Sequence, residues 1–575
     1  MRVNSIGRSV ALIVVLGALS CKSSSKKTNE LDAGYLAESA QPGISIELTP
    51  DIASRALNIR VRVSGPPASS IQTLRIARSW ADTHGAQVLN NLQASDALGD
   101  LPVMPPHDEG PDKVYTLSQK PRGELILSYQ ARALYSGASN YALAVHNDRV
   151  SGVGHGFLLL PPLIESINTS IEWHLEALPK GTKGASSFGA GERQSFKATS
   201  SELANAVYAA GPLQIANGPA GERMIMLGQA ELDIGAVFEW TLRVRDRAKQ
   251  WFVPGKGQES PQKNPIESKE KPFVFMLIAE PNMGKSHDGA HLTQSIALWF
   301  DAGRALDPQL RIALSHELIH RYIGSTVRLL EAGGLKDALW FSEGFTVHYA
   351  RQLLFHENMI SAADFAADLD RTLGADPENG RAAARGQERD ESYRIGALYA
   401  AHLDAALRKR SGGARSLNDL MRELLAKAES KPGEPISIEV FQEMIVRELG
   451  PDAGRDFEAM VLSREKEIVL PEDIFGPCFG QKKAKQKVFD IGFDIKSLDT
   501  QPIVLRGVLK GSAAARAGVR DGALVLSHKL PKQGDKDGRV ELWIAGGRGG
   551  KKIRYKAVAT RETILWKAKK CKRQG

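Results

Sequence analysis

Cysteine is scarce in this chain, with three residues among 575. So small a number excludes a disulfide-rich framework of the kind that holds small secreted domains together. Apart from Cys21, only Cys478 and Cys571 remain, near the two ends of the C-terminal region. An even pair in an exported protein is compatible with one disulfide, and the sequence leaves open whether the two residues approach each other.

A hydrophobic run long enough to span a membrane is also missing at the amino terminus. The apolar run from Val10 to Leu19 is too short to cross a bilayer as a finished helix. Because it follows Arg2 and Arg8, it is typical of a bacterial secretion signal.

Cys21 directly follows this run, after a small residue, and indicates lipoprotein processing. Ala18 stands where leucine is usual, so an ordinary signal peptide is the alternative. We predict a signal peptide over residues 1–21 and a flexible polar tether over 22–43. We expect an exported lipoprotein of the bacterial periplasm or outer membrane, attached to the membrane through a lipid anchor at Cys21.

No motif for binding RNA or DNA accompanies the excess of basic residues. The net charge of +9 is spread along the chain and concentrates only from Lys551 to Arg573. This pattern favours a solvated basic face, or attraction to an anionic envelope surface, over nucleic-acid binding. We therefore expect no nucleic-acid partner.

The length is that of about three or four domains, and no internal repeat is evident. Short alternating runs separated by Gly, Pro and Ser predict an antiparallel β domain over residues 44–200. The runs expected to form its strands are Ile44–Leu48, Leu57–Val63, Leu74–Ala77, Leu125–Tyr129 and Phe157–Leu160.

The middle of the chain changes from strand to helix spacing. A polar stretch from Pro254 to Pro272 predicts a surface loop, and the alternation of Phe273, Phe275 and Leu277 predicts a strand after it. Helical spacing then dominates from Phe365 to Leu470. A sheet is thus expected to precede a mainly helical region.

The most informative stretch is Ser315-His316-Glu317-Leu318-Ile319-His320, an H-E-x-x-H motif. Asp307 is suited to cap a helix and Pro308 to its first position, and Gly324 is expected to stop it after Ile323. His316 and His320 would then project from one face, one turn apart, and could share a metal ion. Glu317 lies beside them, where it could polarise a water molecule at the metal.

Zinc needs a third protein ligand, with the fourth position left for water. The extended H-E-x-x-H-x-x-G-x-x-H pattern fails, because Ile323 and Thr326 stand where Gly and His would be required. Glu343 is the favoured third ligand, on a second helix that Ser342 is expected to cap. Glu331, in a glycine-containing connection, is the alternative.

The combination of H-E-x-x-H with Trp340-Phe341-Ser342-Glu343-Gly344-Phe345-Thr346 resembles the glycyl aminopeptidase family of zinc peptidases. The resemblance implies a multidomain α+β protein binding one Zn²⁺. It implies an N-terminal antiparallel β domain, a thermolysin-like, mainly helical catalytic domain over 201–472 and a C-terminal PDZ-like β domain over 473–575. It also implies that His316, His320 and Glu343 hold the metal.

Further site residues follow from the same resemblance. Glu317 would be the general base, and Tyr393, in a Tyr-x-x-Gly string, would stabilise the developing oxyanion. Tyr399 is the alternative tyrosine. The alternative to a catalytic role for Tyr393 is that it is only a half-buried side chain of a helix.

The family binds the free amine of its substrate through a glutamate on the edge strand. The matching stretch here contains Asp288, Gly289 and His291, and His291 occupies the glutamate position. An imidazole is a poor partner for an ammonium group, and Asp288 could replace the glutamate only after a local shift. The sequence therefore predicts a substrate-binding strand whose preference for a free amino terminus is in doubt.

The C-terminal region contains Ile491-Gly492-Phe493, which resembles the carboxylate-binding loop of a bacterial PDZ domain. Backbone amides at the Gly492 turn would receive a protein C-terminus. The alternative is a small β domain used only for packing, and Ala523 departs from the usual Asp of the family.

These features together predict a metallopeptidase that hydrolyses peptide bonds in the bacterial cell envelope, with Glu317 as general base. The alternative, from another class, is a catalytically weak scaffold that holds envelope peptides or proteins through its PDZ and β domains. The intact metal motif argues for the enzyme, and His291 argues mildly for the scaffold.

Overall fold

The computed structural model describes residues 42–570 except 82–87, 134–139, 254–272, 282, 284–285, 332, 335, 374–386, 532–534, 536 and 547–549. The predicted signal peptide, Cys21, Cys571 and the polar stretch at 254–272 lie outside the described residues. Residues Pro42–Gly575 belong to one compact unit. No helix in the described part of the chain is long and apolar enough to cross a membrane.

The first part of this unit is rich in β structure, as the sequence predicts. Its strands are β1 Gly43–Asp51, β2 Ala56–Ser64, β3 Thr73–Ala77, β4 Leu89–Asp96, β5 Gly99–Asp100, β6 His107–Glu109, β7 Asp112–Thr116, β8 Leu125–Arg132, β9 Ala144–Val145, β10 Val150–Val153, β11 Ile167–Trp173, β12 Lys183–Ser186, β13 Gly189–Ala190, β14 Arg193–Ala198 and β15 Val207–Gly211. A short helix, α1, spans Ser200–Ala204.

A seven-stranded sheet in the order β14-β11-β1-β2-β8-β4-β5 forms the frame of this region. Alternate residues of β1 are buried, because successive side chains of a strand point to opposite faces. The expectation of a purely antiparallel domain is wrong in one place: β1 pairs with β11 in parallel. The long connection from β10 brings β11 to the outer edge of β1 in that direction.

The run at Phe157–Leu160 is not the strand that its apolar residues suggest. It is buried, but the amide of Phe157 donates to Gly154 O in a 3₁₀ turn, and only Leu160 forms an isolated bridge, to Arg75. A second sheet, β13-β12-β15-β10-β9, packs through an apolar cluster onto the central sheet described next.

The central sheet consists of β16 Leu213–Asn217, β17 Arg223–Leu227, β18 Val274–Glu280, β19 His287–Leu292 and β20 Ser295–Asp301. Its order is β16-β17-β18-β20-β19, with β17, β18 and β20 parallel and β19 antiparallel to β20. The strand predicted at 273–277 is confirmed as β18. Strand β19, which carries the predicted substrate residues, lies at the edge of this sheet.

Helices cover the central sheet and enclose the largest core of the unit. They are α2 Ile234–Phe252, α3 Pro308–Ile319, α4 Thr346–His356, α5 Ala362–Thr372, α6 Gln387–Ser411, α7 Leu417–Ser430, α8 Ile438–Leu449 and α9 Pro451–Phe457. The short pair β21 Leu329–Leu330 and β22 Ile436–Ser437 joins two of their connections.

The C-terminal region has a small core of its own. Its elements are β23 Phe479–Phe489, α10 Ala513–Arg516, β24 Val525–Lys529, β25 Arg539–Ile544, β26 Lys551–Lys556 and β27 Val558–Ala568. β24, β25 and β26 form one sheet, and β23 pairs with β27 over eleven residue pairs in a separate two-stranded ribbon.

The base of this ribbon belongs to the helical core. Phe479 and Trp566 are buried in that core, and the amide of Trp566 donates to Asp370 Oδ1 at 2.8 Å. Cys478, immediately before β23, is disulfide-bonded. Its predicted partner, Cys571, is not among the described residues, so the pairing stays a prediction.

Candidate metal centre

The helix that carries the H-E-x-x-H motif begins as the sequence predicts. Asp307 Oδ1 accepts a hydrogen bond from the Leu310 amide at 2.9 Å, and Pro308 occupies the first turn. The predicted end at Ile323 is wrong: α3 ends at Ile319, with His320 as its C-cap. The chain then bends into a tight turn in which the amide of Gly324, with φ +94°, donates to the carbonyl of Val327.

Glu343 lies in a π-helical turn, Trp340–Phe345, that leads directly into α4. The expectation that Ser342 caps this helix is wrong, because Ser342 is already inside the π turn and its amide donates to Ala338 O. π-Helical turns are rare and are frequent at functional sites.

The structure brings Glu343 to the two histidines. The Nε2 atoms of His316 and His320 are 3.0 Å apart, and Glu343 Oε2 is 3.3 Å from the first and 3.4 Å from the second. Glu331, the alternative ligand, is exposed and lies in a turn. Its backbone amide donates to Lys336 O. Glu317 also has a carboxylate oxygen within 4.8 Å of both imidazoles.

These three separations fit one tetrahedral metal ion. Metal–ligand bonds of about 2.0–2.2 Å at tetrahedral angles place neighbouring ligand atoms about 3.3 Å apart. The His316, His320 and Glu343 atoms therefore form one face of a tetrahedron of the size that zinc requires. The Nδ1 atom of His320 lies 3.1 Å from the carbonyl oxygen of Ile323, which orients the Nε2 atom toward the centre of that face.

The electrostatics of this cluster favour a positive charge. Burial tends to lower the pKa of His320, but the Glu343 carboxylate, together with Glu317 and the Ile323 carbonyl, outweighs it and raises the pKa to about 9. Burial tends to raise the pKa of Glu343, and the two histidines outweigh it and hold the pKa well below its usual value. A buried carboxylate beside two imidazoles is thus a site for a cation.

Glu317 faces the edge strand of the central sheet. It is 7% exposed, and a side chain at Gly289 of β19 would lie 2.6 Å from its Cδ atom. Because alternate residues of a strand share a face, Gly289 and His291 lie on the side of β19 that faces α3. The glycine therefore leaves room for the Glu317 carboxylate between the metal site and the strand.

Tyr393 lies beside the candidate metal ligands. Its ring is stacked on His316 with 6.1 Å between centroids and 16° between planes. Tyr399, the alternative, is buried against Phe457 at 5.3 Å and does not contact either imidazole of the motif among the ring contacts described.

A close crossing of two helical segments holds Glu343 and Tyr393 near each other. A Cβ atom at Gly344 would lie 2.7 Å from Ala397 N, and one at Gly396 would overlap the carbonyl oxygen of Trp340. The π turn and α6 can therefore approach so closely only because both positions are glycine. Neither glycine was assigned a role from the sequence, although the Tyr-x-x-Gly string contains one of them.

The other predicted substrate residues separate onto two faces of β19. His291 Nδ1 is 3.2 Å from Ser325 Oγ, and burial, with smaller effects of His320 and Arg321, lowers the pKa of His291 to about 3. Asp288 accepts a hydrogen bond from the Asn140 amide of the β-rich region. Asp288 is thus on the face opposite Gly289 and is already engaged.

Tyr141 makes a second contact of the same kind, its hydroxyl donating to Gly289 O at 2.8 Å. Asn140 and Tyr141 therefore hold β19 from the β-rich region. Sequence reasoning missed them, because nothing near residue 140 indicates a contact 148 positions away.

The loop at Ile491, Gly492 and Phe493 lies at the edge of the C-terminal core. Gly492 has φ +81°, its amide donates to Asp490 Oδ1 at 2.6 Å, and its carbonyl accepts from Leu509 N at 3.0 Å. The amide predicted to receive a peptide carboxylate is thus bonded to a side chain of its own loop.

The chain matches no protein-family model, and a search of curated proteins found no match. Solved structures do resemble it. Two have low TM-scores: an M1 zinc metallopeptidase from Deinococcus radiodurans (16% identity, TM-score 0.47, 75% of this chain and 95% of that one) and yeast LTA4 hydrolase (11%, 0.45, 75% and 68%). An aminopeptidase N family protein from Idiomarina loihiensis is 15% identical, with a TM-score of 0.64 over 92% of this chain and 98% of that one. The fold that carries the metal centre is thus similar, over nearly the whole of both chains, to that of an aminopeptidase N family protein.

Proposed function

We propose that the protein is a zinc-dependent metallopeptidase that hydrolyses peptide bonds in the bacterial cell envelope. The observation that carries the proposal is the triangle of His316, His320 and Glu343, with the carboxylate of Glu317 beside it and an edge strand across from it. The fold similarity to an aminopeptidase N family protein supports it.

His316, His320 and Glu343 would hold one Zn²⁺, since two neutral imidazoles and one carboxylate are a common catalytic zinc set. When bound, zinc supplies a Lewis acid that polarises the scissile carbonyl and acidifies a water molecule.

Glu317 would act as general base. Its carboxylate is within 4.8 Å of both imidazoles and faces Gly289 of the edge strand, so it lies between the metal site and a bound peptide. In that position it takes a proton from the attacking water and delivers it to the leaving amine. Tyr393, stacked on His316, would donate a hydrogen bond to the oxyanion that develops on the carbonyl oxygen.

The edge strand β19 would bind the substrate as an added extended strand. The amine-binding carboxylate of the resembled family is replaced by His291, and Asp288 is engaged by Asn140 on the other face. A free amino terminus would therefore contribute little to binding, and we propose cleavage that does not depend on it.

We further propose that residues 201–472 form a thermolysin-like domain and that residues 473–575 are PDZ-like. Capture of a protein C-terminus at Gly492 would require Asp490 to release the Gly492 amide. Export and a lipid anchor at Cys21 remain proposals from the sequence, and they would place the active site in the envelope.

The test is Glu317→Gln, with Glu331→Gln as the matched control on an exposed turn. We expect Glu317→Gln to keep its zinc and to lose about 10²–10⁴ in rate on a peptide library, while Glu331→Gln keeps both. Wild-type turnover in zinc-loaded Glu317→Gln would refute the mechanism. A zinc-loaded wild type that cleaves no peptide in the library would favour the scaffold instead.

A further inference from the structure

The ribbon formed by β23 and β27 is strongly basic. β23 contains four lysines and no carboxylate, and β27 contains two basic residues and a single carboxylate, Glu562. The four lysines of β23, all exposed, are Lys482, Lys483, Lys485 and Lys487. Among the described strands, none pairs with the outer edge of β23 or of β27.

These lysines differ from the basic residues of the neighbouring sheet in having no carboxylate partner. In β26, Lys552 and Arg554 both pair with Glu541, and Lys556 pairs with Asp537. Among the ion pairs of the described residues, none involves a lysine of β23. Within the described part of the chain, the positive charge of the β23 lysines is therefore not offset by direct ion pairs.

The pleat concentrates part of this charge on one face. Lys483, Lys485 and Lys487 are two residues apart and point the same way, over about 13 Å. Ile564, directly opposite Lys483, is 41% exposed, and Glu562 lies opposite Lys485. A row of lysines with an exposed aliphatic side chain is suited to a headgroup surface, where charge and apolar contact act together.

The aromatic residues of the ribbon argue against nucleic acid. Proteins that bind single strands present exposed aromatic rings on which bases stack. Here Phe479 and Trp566 are buried in the helical core, and Phe489 is only partly exposed. Charge without a stacking surface favours a lipid bilayer over a polynucleotide.

We propose that the ribbon is a docking surface for an anionic phospholipid membrane, contacted through Lys483, Lys485, Lys487 and Ile564. The proposal is independent of the peptidase activity and of the lipid anchor. Each lysine close to an anionic bilayer contributes a factor of about five to the partition coefficient. Three together contribute about a hundredfold.

The experiment uses the chain from Lys22 onward, which keeps the compact unit Pro42–Gly575 and lacks both Cys21 and the apolar run. Its sedimentation is measured with vesicles of phosphatidylglycerol and phosphatidylcholine, at low and high salt. We expect binding that needs phosphatidylglycerol, weakens with salt, and falls about a hundredfold when the three lysines are changed to Gln. Glu562→Gln should strengthen binding about fivefold, a gain that a folding defect cannot produce.

The matched control changes three exposed lysines of the β-rich region, Lys120, Lys180 and Lys183, to Gln. Its binding should stay near that of the wild type. An equal loss in this control would show that net charge, and not the ribbon, causes binding and would overturn the proposal. No binding by the wild type, or binding to single-stranded DNA that exceeds binding to vesicles, would overturn it as well.

Discussion

Replacement of Gly396 by alanine tests how Glu343, the proposed third metal ligand, is positioned. Gly396 lies on α6, where this helix crosses the π turn that contains Glu343. The new methyl group would point into the backbone of that turn. We expect Gly396→Ala to weaken zinc binding although it changes no ligand.

The size of the effect follows from the packing. A Cβ atom at Gly396 would be 2.7 Å from the carbonyl carbon of Trp340 and 2.9 Å from Gly344 Cα. Carbon atoms pack at about 3.5–4.0 Å, and the Trp340 carbonyl oxygen would be only 1.7 Å away, so the two segments must separate by at least about 1 Å. Zinc sites tolerate deviations of about 0.2 Å in ligand distance. Because Glu343 directly precedes Gly344, its carboxylate must leave its position, and we expect zinc affinity to fall about 10–100-fold.

The assay measures zinc affinity by competition with a chromogenic chelator, together with hydrolysis at saturating zinc. Gly303→Ala is the control, because the nearest atom to its new methyl group would be Asp301 Oδ1, at 3.5 Å. Near-ultraviolet circular dichroism of the metal-free proteins checks that both variants are folded. A folded Gly396→Ala variant with wild-type zinc affinity would refute the argument that this crossing sets the ligand position.

Three further predictions concern single side chains. Glu343→Ala should lose zinc in elemental analysis while Glu331→Ala keeps it, and the opposite result would reverse the ligand assignment. His291→Glu should raise the preference for free over acetylated amino termini at least about tenfold, as expected for a new charged hydrogen bond; a wild type that already cleaves only free-amine peptides would contradict our account of this strand. Burial, the largest influence, lowers the pKa of His348 to about 4, so the folded state binds this proton less readily than the unfolded state. The contribution of neutral His348 to the free energy of unfolding is fully present above pH 6.5 and is lost as the pH falls toward 4. By pH 4.5 the loss is about 2–3 kcal/mol. Metal-free His348→Gln should therefore lose less thermal stability than the metal-free wild type between pH 7 and 4.5, and equal losses would exclude His348 as a cause.

The parts of the site that could be predicted are those determined by local sequence. The spacing of His316 and His320 fixes their relation within one helix, and the capping residues before it determine where that helix begins. Glu343, the favoured ligand, and not Glu331, has its carboxylate within 3.4 Å of both histidines. The predicted end of α3 is wrong because Gly324 does not end the helix. It belongs to the turn that follows His320, the C-cap residue.

The rest depends on contacts between residues far apart in the chain. The Asn140 side-chain amide and the Tyr141 hydroxyl each contact a residue of β19 that is 148 positions away in the chain. No local sequence pattern predicts these contacts. The crossing of Gly344 and Gly396 is likewise invisible, since each glycine taken alone only lowers helix propensity. The parallel pairing of β1 with β11 depends on where a long connection returns, which alternation of side chains does not specify.

The ribbon also has a mechanical consequence for the C-terminal region. The chain enters that region at Phe489 and leaves it at Val558, and the two strands that end and begin at these residues are paired over eleven positions. A module on a single linker swivels about individual backbone bonds, whereas one carried on two paired strands can only bend and twist with them as a stiff arm. Since the arm is rooted in the helical core at Phe479 and Trp566, it restricts how far the module can move relative to that core. An insertion in one strand alone would disrupt the pairing of β23 with β27. Moving the module further from the core would therefore require insertions of equal length in both strands.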